Sequence, residues 1–588
     1  MTRRTTLVLA GILLAQSVIV ALVFTPLPHS GGDNAGYISL AHSLLDRGAY
    51  LEIWDPGDPP HTKYPPVFPI LLAMAILLGA KSWAALKMVP AFFTVMAVAF
   101  TFLWARDRRG LTLGLVVALL LGLSESVVYY SQWILSDPTF LALTMAALWA
   151  LQKSLGPAET PEVAVTPEVV KTPQAVETPE VAVTPEAAGM RGGKDVWLVV
   201  GMALVVVAYF TRSAGLPLAA ATLFWLGIQK RWKALAGFAV AFGFPAFLWW
   251  LRGSGLGGSE YTSEFWLVDP YQPHLGTIGP LELLDRLTGN LVTYVTRIVP
   301  AGVAGDGMSI IPPLGIGLGL VALVGWFRML REKVGAAELF FPLYFGLILL
   351  WPPAWSGDRF ALPLLPLMFF YAGVALLWLL GAFPVKVRGA AVGVLVLALA
   401  LPAGLQLHLM AKGAWACREL TRIGSSRECL SPAQGEYLAL AEWSGENLPD
   451  GAVVTTRKPR TFFLMSGVKT QSIPLLTDPD DFLISLRERE SRYVSLDLLD
   501  GMSGYYVYPV LLERLSAFCG LVQVGAPGQT GTQLLGVAEA DAGAGAEGEA
   551  SQALARCPGE MFRASPRERG PAGGWDIPLL VSWRDRGK

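Results

Sequence analysis

Eleven mostly apolar runs occupy the first 410 residues, and none follows. They lie near 7–25, 83–104, 112–131, 136–152, 196–211, 214–229, 234–251, 310–327, 337–352, 360–380 and 389–408. Most have about 16–22 residues, the length that a ~30 Å hydrocarbon layer requires of a helix. Hydrophobic residues make up 53% of the chain and charged residues only 15%, against about 25% charged in soluble domains. A single soluble core stops growing near ~250–300 residues, so this much apolar sequence needs lipid as its second solvent. The 62 Gly and 42 Pro are tolerated in membrane helices, and the 19 Trp and 16 Tyr suit membrane interfaces. A formal net charge of −1 gives no global basic field and excludes a nucleic-acid binder of that kind. The reading is a polytopic α-helical membrane protein of about eleven spans.

Loop charge sets the orientation. Arg3 and Arg4; Arg106, Arg108 and Arg109; Lys153, Arg191 and Lys194; Lys230, Arg231 and Lys233; Arg328, Arg331 and Lys333; and Lys386 and Arg388 all fall on one side. That side is assigned to the cytoplasm, with the N-terminus there, in the plasma (inner) membrane. The run at 65–80 opens with Pro-Pro and is short. Counted as a span it would put four later basic clusters outside, so it reads as a juxtamembrane or re-entrant segment. An odd number of spans then places residues 411–588 outside. A cleaved signal peptide is the rival reading of the N-terminus, but no small-x-small site follows the apolar stretch.

Residues 158–187 repeat a TPE-headed hexad, whose regular prolines favour an extended cytoplasmic tether. From 411 onward, helix-like and strand-like segments alternate, which implies a small extracytoplasmic α/β domain. Residues 538–550 read as a disordered excursion. Cys417, Cys429, Cys519 and Cys557 all lie in this tail. An even count on the oxidising side suggests disulfides; of three connectivities, Cys417–Cys429 with Cys519–Cys557 is the expected one.

No HExxH, CxxC, GxGxxG, GxxxxGK[ST] or GxSxG pattern is present. This argues against a dedicated zinc site, a nucleotide-binding loop and a hydrolase elbow. Polar residues on the outer face remain. Asp33 and Asn34 begin a short helix expected on the membrane surface, where capping is the plain alternative to chemistry. Asp137 precedes a Pro that opens a span, again a capping arrangement. Arg212 and Arg359 stand at span ends, where long cations often snorkel. Lys63 precedes Tyr-Pro-Pro. Segment 280–299 carries an apolar stripe of Leu281, Leu284, Leu287, Leu291, Val295 and Ile298, and reads as an amphipathic interfacial helix. It is either the cover of a lipid-facing groove or scaffold.

The segments GDNAGYISLAHSLLDRGAY, KYPPVFPILLAMAILLGAKSWAALKMVPAFF, ILSDP, FTRSAGLPL and DRFALPLLP together resemble the GT-C membrane glycosyltransferases. The nearest group is the bacterial branch related to protein O-mannosyltransferases and lipid A aminoarabinose transferases. The resemblance covers roughly residues 5–410, and the tail is similar to outer α/β domains of some bacterial members. It implies a GT-C-like domain over 1–410 and an extracytoplasmic domain over 411–588. It also implies a polyprenyl-phosphate sugar as donor, inversion at the anomeric carbon, Asp33 as catalytic carboxylate and Asp137 as the second acidic position. Lys63, Tyr37, Arg212 and Arg359 are the candidate substrate-binding residues. Asn34 stands where other members carry a second acid, which favours a reaction without a metal or other cofactor.

The residues fit that chemistry independently, since a carboxylate can take an acceptor hydroxyl proton and cations can stabilise a leaving phosphate. The acceptor (protein, lipid or glycan) is left open. The rival functions are a transporter or flippase with an outer sensor domain, and an envelope-assembly scaffold.

Overall fold

A computed structural model describes residues 3–29, 31–155, 185–256, 260–305, 311–525 and 531–538. The chain opens with α1 (Arg3–Val23), followed by α2 (Gly32–Arg47) and α3 (Val67–Leu77) within the first loop. Next come α4 (Trp83–Arg109), α5 (Leu111–Leu123), α6 (Glu125–Tyr130) and α7 (Ser136–Lys153). Then follow α8 (Pro185–Thr211), α9 (Leu216–Ile228) and α10 (Trp232–Ser254). A long connection holds α11 (Glu260–Trp266), α12 (Pro280–Thr293) and α13 (Val299–Ala304). The helices α14 (Ile311–Glu332), α15 (Ala336–Leu350), α16 (Asp358–Ala361), α17 (Leu365–Leu379) and α18 (Val385–Arg422) complete the apolar part.

Every apolar run read from the sequence coincides with a helix or a pair of helices. Among the described residues, six helices are long and apolar enough to cross a membrane, and four shorter apolar helices accompany them. The 65–80 run yields α3, 11 residues long. At ~1.5 Å per residue it is too short to cross a bilayer, and it buries Phe68 and Leu72 in the first-loop core.

Local chemistry explains several boundaries. The Ser82 hydroxyl caps α4 by accepting from the Ala85 amide at 3.2 Å. At the other end Gly110, with φ +89°, turns the chain from α4 into α5 in a conformation that side chains resist. The basic clusters are knitted together at one end of the bundle. Arg108 pairs with Glu338 at 2.9 Å, Lys153 with Asp107 at 3.0 Å, and Arg109 with Glu332. The opposite end carries the start of α7, the end of α8 and α16.

Segment 280–299 departs from a surface-lying reading in one respect: two of its polar side chains, Arg286 and Asn290, are buried. Arg286 donates to the Phe265 and Leu267 carbonyls, and Asn290 to those of Leu349 and Trp351. Leu281 and Leu284 are exposed. Carbonyls left open by irregular backbone need donors from somewhere, and α12 supplies them.

After α18, residues fold into a five-stranded sheet, β1 (Val453–Thr456), β2 (Lys469–Ser472), β3 (Tyr493–Leu496), β4 (Phe518–Val524) and β5 (Thr532–Val537). Its order is β2-β1-β3-β5-β4, with β1 parallel to β2 and β3, and β5 antiparallel to β3 and β4. The helices are α19 (Pro432–Asn447), α20 (Pro459–Ser466), α21 (Pro479–Glu488), α22 (Gly501–Tyr506) and α23 (Tyr508–Glu513). The helices α22 and α23 meet at Val507, just before Pro509. Neither α20 nor β2 is evident from the sequence pattern.

Cys417 and Cys429 form a disulfide that ties α18 to the turn at Ser426–Cys429. Cys519 stands in β4, and Cys557 lies outside the described residues, as do repeat positions 158–184 and residues 539–588. The final repeat unit, from Pro185, opens α8.

Candidate active site

The site is built on α2. Gly31 occupies the N-cap position with no side-chain bond, and Asp33 and Asn34 fall inside the first turn. The capping reading is therefore overturned for both: a glycine ends the loop, and each side chain is engaged elsewhere. Asn34 accepts from the Ile134 amide at 2.7 Å, tying α2 to the entry of α7. Residues Asn34 to Ser43 of this helix are buried within the protein.

Asp33 receives two donors. The Tyr64 hydroxyl donates to Oδ1 at 2.7 Å and Arg359 Nη1 donates to Oδ2 at 2.9 Å. Burial alone would raise the Asp33 pKa, but the Arg359 charge, the Tyr64 bond and the more distant Arg460 charge outweigh it. The carboxyl is held well below the usual range, ionised and acceptor-only. Burial pushes the Tyr64 hydroxyl well above its ordinary value, so it stays protonated and donating. Side-chain exposures of 31% for Asp33 and 30% for Arg359 show that this pair is open to an incoming molecule.

Arg359 is itself fixed from behind. Its neighbour Asp358 accepts from the Tyr130 hydroxyl at 2.8 Å and from Ser126, and also receives the Arg359 amide at 3.0 Å. Two guanidiniums approach Phe360, Arg359 at 4.9 Å and Arg212 at 4.8 Å from its ring centre, within cation–π range.

Asp137 lies in the first turn of α7 behind an uncapped Leu135, so it too is not the cap. Its Oδ1 pairs with Arg212 at 2.6 Å, and its side chain is only 3% exposed. Its Oδ2 is buried without a hydrogen-bond partner among the described residues. Arg212, 13% exposed, does not snorkel; it turns into this pair. Tyr37 links the two carboxylate centres through a 2.9 Å bond to the Ser136 hydroxyl, which Arg212 also approaches at 3.5 Å. Arg359 lies within electrostatic reach of both Asp33 and Asp137.

Lys63 precedes Tyr64 in the chain. It pairs with Glu264 at 2.8 Å and lies 5.4 Å and 5.3 Å from the Tyr261 and Trp355 ring centres. Tyr261 and Glu264 both come from α11.

The C-terminal domain reaches this site. Arg460 on α20 donates to the Tyr64 hydroxyl at 2.9 Å, and Phe463 and Leu464 share a buried cluster with Ala35, Ile38 and Trp54. From β2, Lys469 donates to the Ile53 and Asp55 carbonyls, and the Thr470 amide donates to Trp54 O at 2.8 Å.

The structure thus brings Asp33, Tyr37, Asp137, Arg212 and Arg359 into one network, with Lys63 one residue from its edge. Sequence reasoning missed Tyr64, Ser136, Phe360 and Arg460. Tyr64 was visible inside the KYPP motif, whereas nothing local marks Arg460. Among the described residues, no group of three or more His, Cys, Asp or Glu side chains is placed to hold a metal ion.

No protein-family model and no curated protein sequence matches this chain. Solved structures do. ArnT from Cupriavidus metallidurans in the apo state superposes with a TM-score of 0.52 at 14% identity, covering 91% of this chain and 98% of that one. The apo oligosaccharyltransferase of Archaeoglobus fulgidus gives 0.51 at 13%, covering 83% and 69%. Archaeal AglB in complex with an inhibitory peptide and a dolichol-phosphate gives 0.51 at 13%, covering 92% and 75%. The chain shares their fold, that of the GT-C enzymes which its motifs resemble, with membrane helices followed by a C-terminal sheet.

Proposed function

We propose that this protein is an inverting, metal-independent glycosyltransferase that moves a sugar from a polyprenyl-phosphate donor to an acceptor on the extracytoplasmic face of the membrane. The carrying observation is the ionised, half-open Asp33 carboxylate with the Arg359 and Arg212 guanidiniums both within 5 Å of the Phe360 ring centre. A donor phosphate entering this face meets the two guanidiniums, which present planar, bidentate donor sets, and Lys63 as a third cation.

As the phosphate engages Arg359, Oδ2 of Asp33 is released to accept a proton. The acceptor hydroxyl oxygen then bonds to the anomeric carbon while its proton passes to Asp33. The anomeric C–O bond to phosphate breaks, and its electron pair leaves with the polyprenyl phosphate, whose growing charge the cations stabilise. In-line displacement inverts the anomeric centre. Asp137 keeps Arg212 oriented, and the Tyr37–Ser136 bond fixes α2 against α7. The likeness to a fold-mate bound to a dolichol-phosphate supports a lipid-phosphate donor. Eleven spans, a cytoplasmic N-terminus and an outer C-terminal domain complete the topology.

The test is sugar transfer or release from a panel of polyprenyl-phosphate sugars by the full chain in nanodiscs, with and without chelator. Asp33→Asn is expected to fold and to lose ~10²–10⁴ in turnover, the usual worth of a general base. Near-wild-type transfer by a folded Asp33→Asn protein overturns the assignment, and loss of wild-type activity with chelator overturns metal independence.

A further inference from the structure

The C-terminal domain reads from the sequence as an appendage beyond the last span, yet one of its side chains is two hydrogen bonds from Asp33. Arg460 Nη1 donates to the Tyr64 hydroxyl at 2.9 Å, and that hydroxyl donates onward to Asp33 Oδ1 at 2.7 Å. A hydroxyl that already accepts from a cation is a stronger and better-aimed donor. With Arg460 donating to the oxygen, the hydroxyl proton is aimed at Asp33.

Arg460 is held for this task. Its guanidinium lies 4.9 Å from the Trp54 ring centre and 5.4 Å from that of Tyr64. Opposite it stands Gly36, where an added Cβ would come within 3.0 Å of Arg460 Cδ and 3.4 Å of Tyr64 Cε2. The small residue on α2, one turn from Asp33, leaves the passage open through which the arginine reaches the tyrosine.

We propose that Arg460 is a positioning residue for Asp33, acting through Tyr64, so that the C-terminal domain completes the active site. This rests on Asp33 being the catalytic base. Without Arg460 the Tyr64 hydroxyl loses the bond that aims it, and its own bond to Asp33 is held less firmly. The donor engages Arg359, Arg212 and Lys63 as before. Loss of Arg460 therefore falls on turnover and spares donor affinity, the signature of an interaction that matters in the transition state.

The experiment compares Arg460→Ala, Arg460→Lys, Tyr64→Phe, the Arg460→Ala/Tyr64→Phe double variant, Lys469→Ala and Asp33→Asn, all as full chain in nanodiscs. Arg460→Ala is expected to lower kcat by ~10–100-fold, the scale of a misplaced catalytic group, with donor KM within about twofold. Tyr64→Phe should match it, and the double variant should fall no further, because both remove the same link. Arg460→Lys should recover part of the lost turnover. Lys469→Ala breaks a docking contact remote from Asp33 and should retain kcat.

Wild-type turnover by Arg460→Ala beside a silent Asp33→Asn overturns the inference alone. An Asp33→Asn protein that still turns over overturns the functional reading instead. Equal loss in Lys469→Ala and Arg460→Ala reduces Arg460 to a docking residue and also overturns the inference. Thermal unfolding needs no substrate: Arg460→Ala and Asp33→Asn should be non-additive in Tm by about 2 °C or more, and strict additivity counts against the link.

Discussion

Asp137 and Arg212 form a nearly water-free ion pair, and such pairs matter most when one member is removed. Arg212→Met leaves a buried carboxylate uncompensated and should cost about 3–5 kcal/mol, read as a lower Tm of the purified protein. Adding Asp137→Asn should restore much of that loss, and failure to do so would show that Arg212 supports the fold through other contacts. The polar residues at span ends were legible because ionisable groups are rare in such a chain and collect where they can be used. Their plain readings as caps failed because Gly31 and Leu135 occupy the cap positions and release the carboxylates. Tyr64 was hidden because a tyrosine before Pro-Pro looks like an interfacial aromatic. Arg460 was hidden because its contact spans 396 positions of sequence and exists only once two separate units have docked.

At the level of helices, close approach is written into small residues. A Cβ on Gly325 in α14 would lie 1.8 Å from the Tyr371 carbonyl of α17, so only glycine lets these backbones touch. Gly325→Ala should force the two helices apart and lower Tm and folded yield. An unchanged melting curve would mean that the pair can slide at little cost. The apolar periodicity located these helices well, since length and hydropathy are summed over many residues. It could not orient α12, whose buried Arg286 and Asn290 answer open carbonyls in distant loops. It also passed over α20 and β2, because eight- and four-residue elements leave too short a pattern to read.

For the molecule as a whole, the basic end and the Asp33 end lie on opposite sides of the helical bundle. Glu488→Cys in the C-terminal domain should react with a membrane-impermeant maleimide on intact cells, and Lys333→Cys after α14 only once the membrane is opened. Labelling of Lys333→Cys from outside would reverse the proposed topology. β2 is an edge strand of the sheet, and the first loop takes its Thr470 amide and its Lys469 ammonium. An uncovered edge is a template for pairing with another chain. The membrane part thus acts as a sheath for its own outer domain. Residues 423–588 produced alone should self-associate through this edge, with sedimentation reporting the oligomers, and a monomeric domain would count against the sheath.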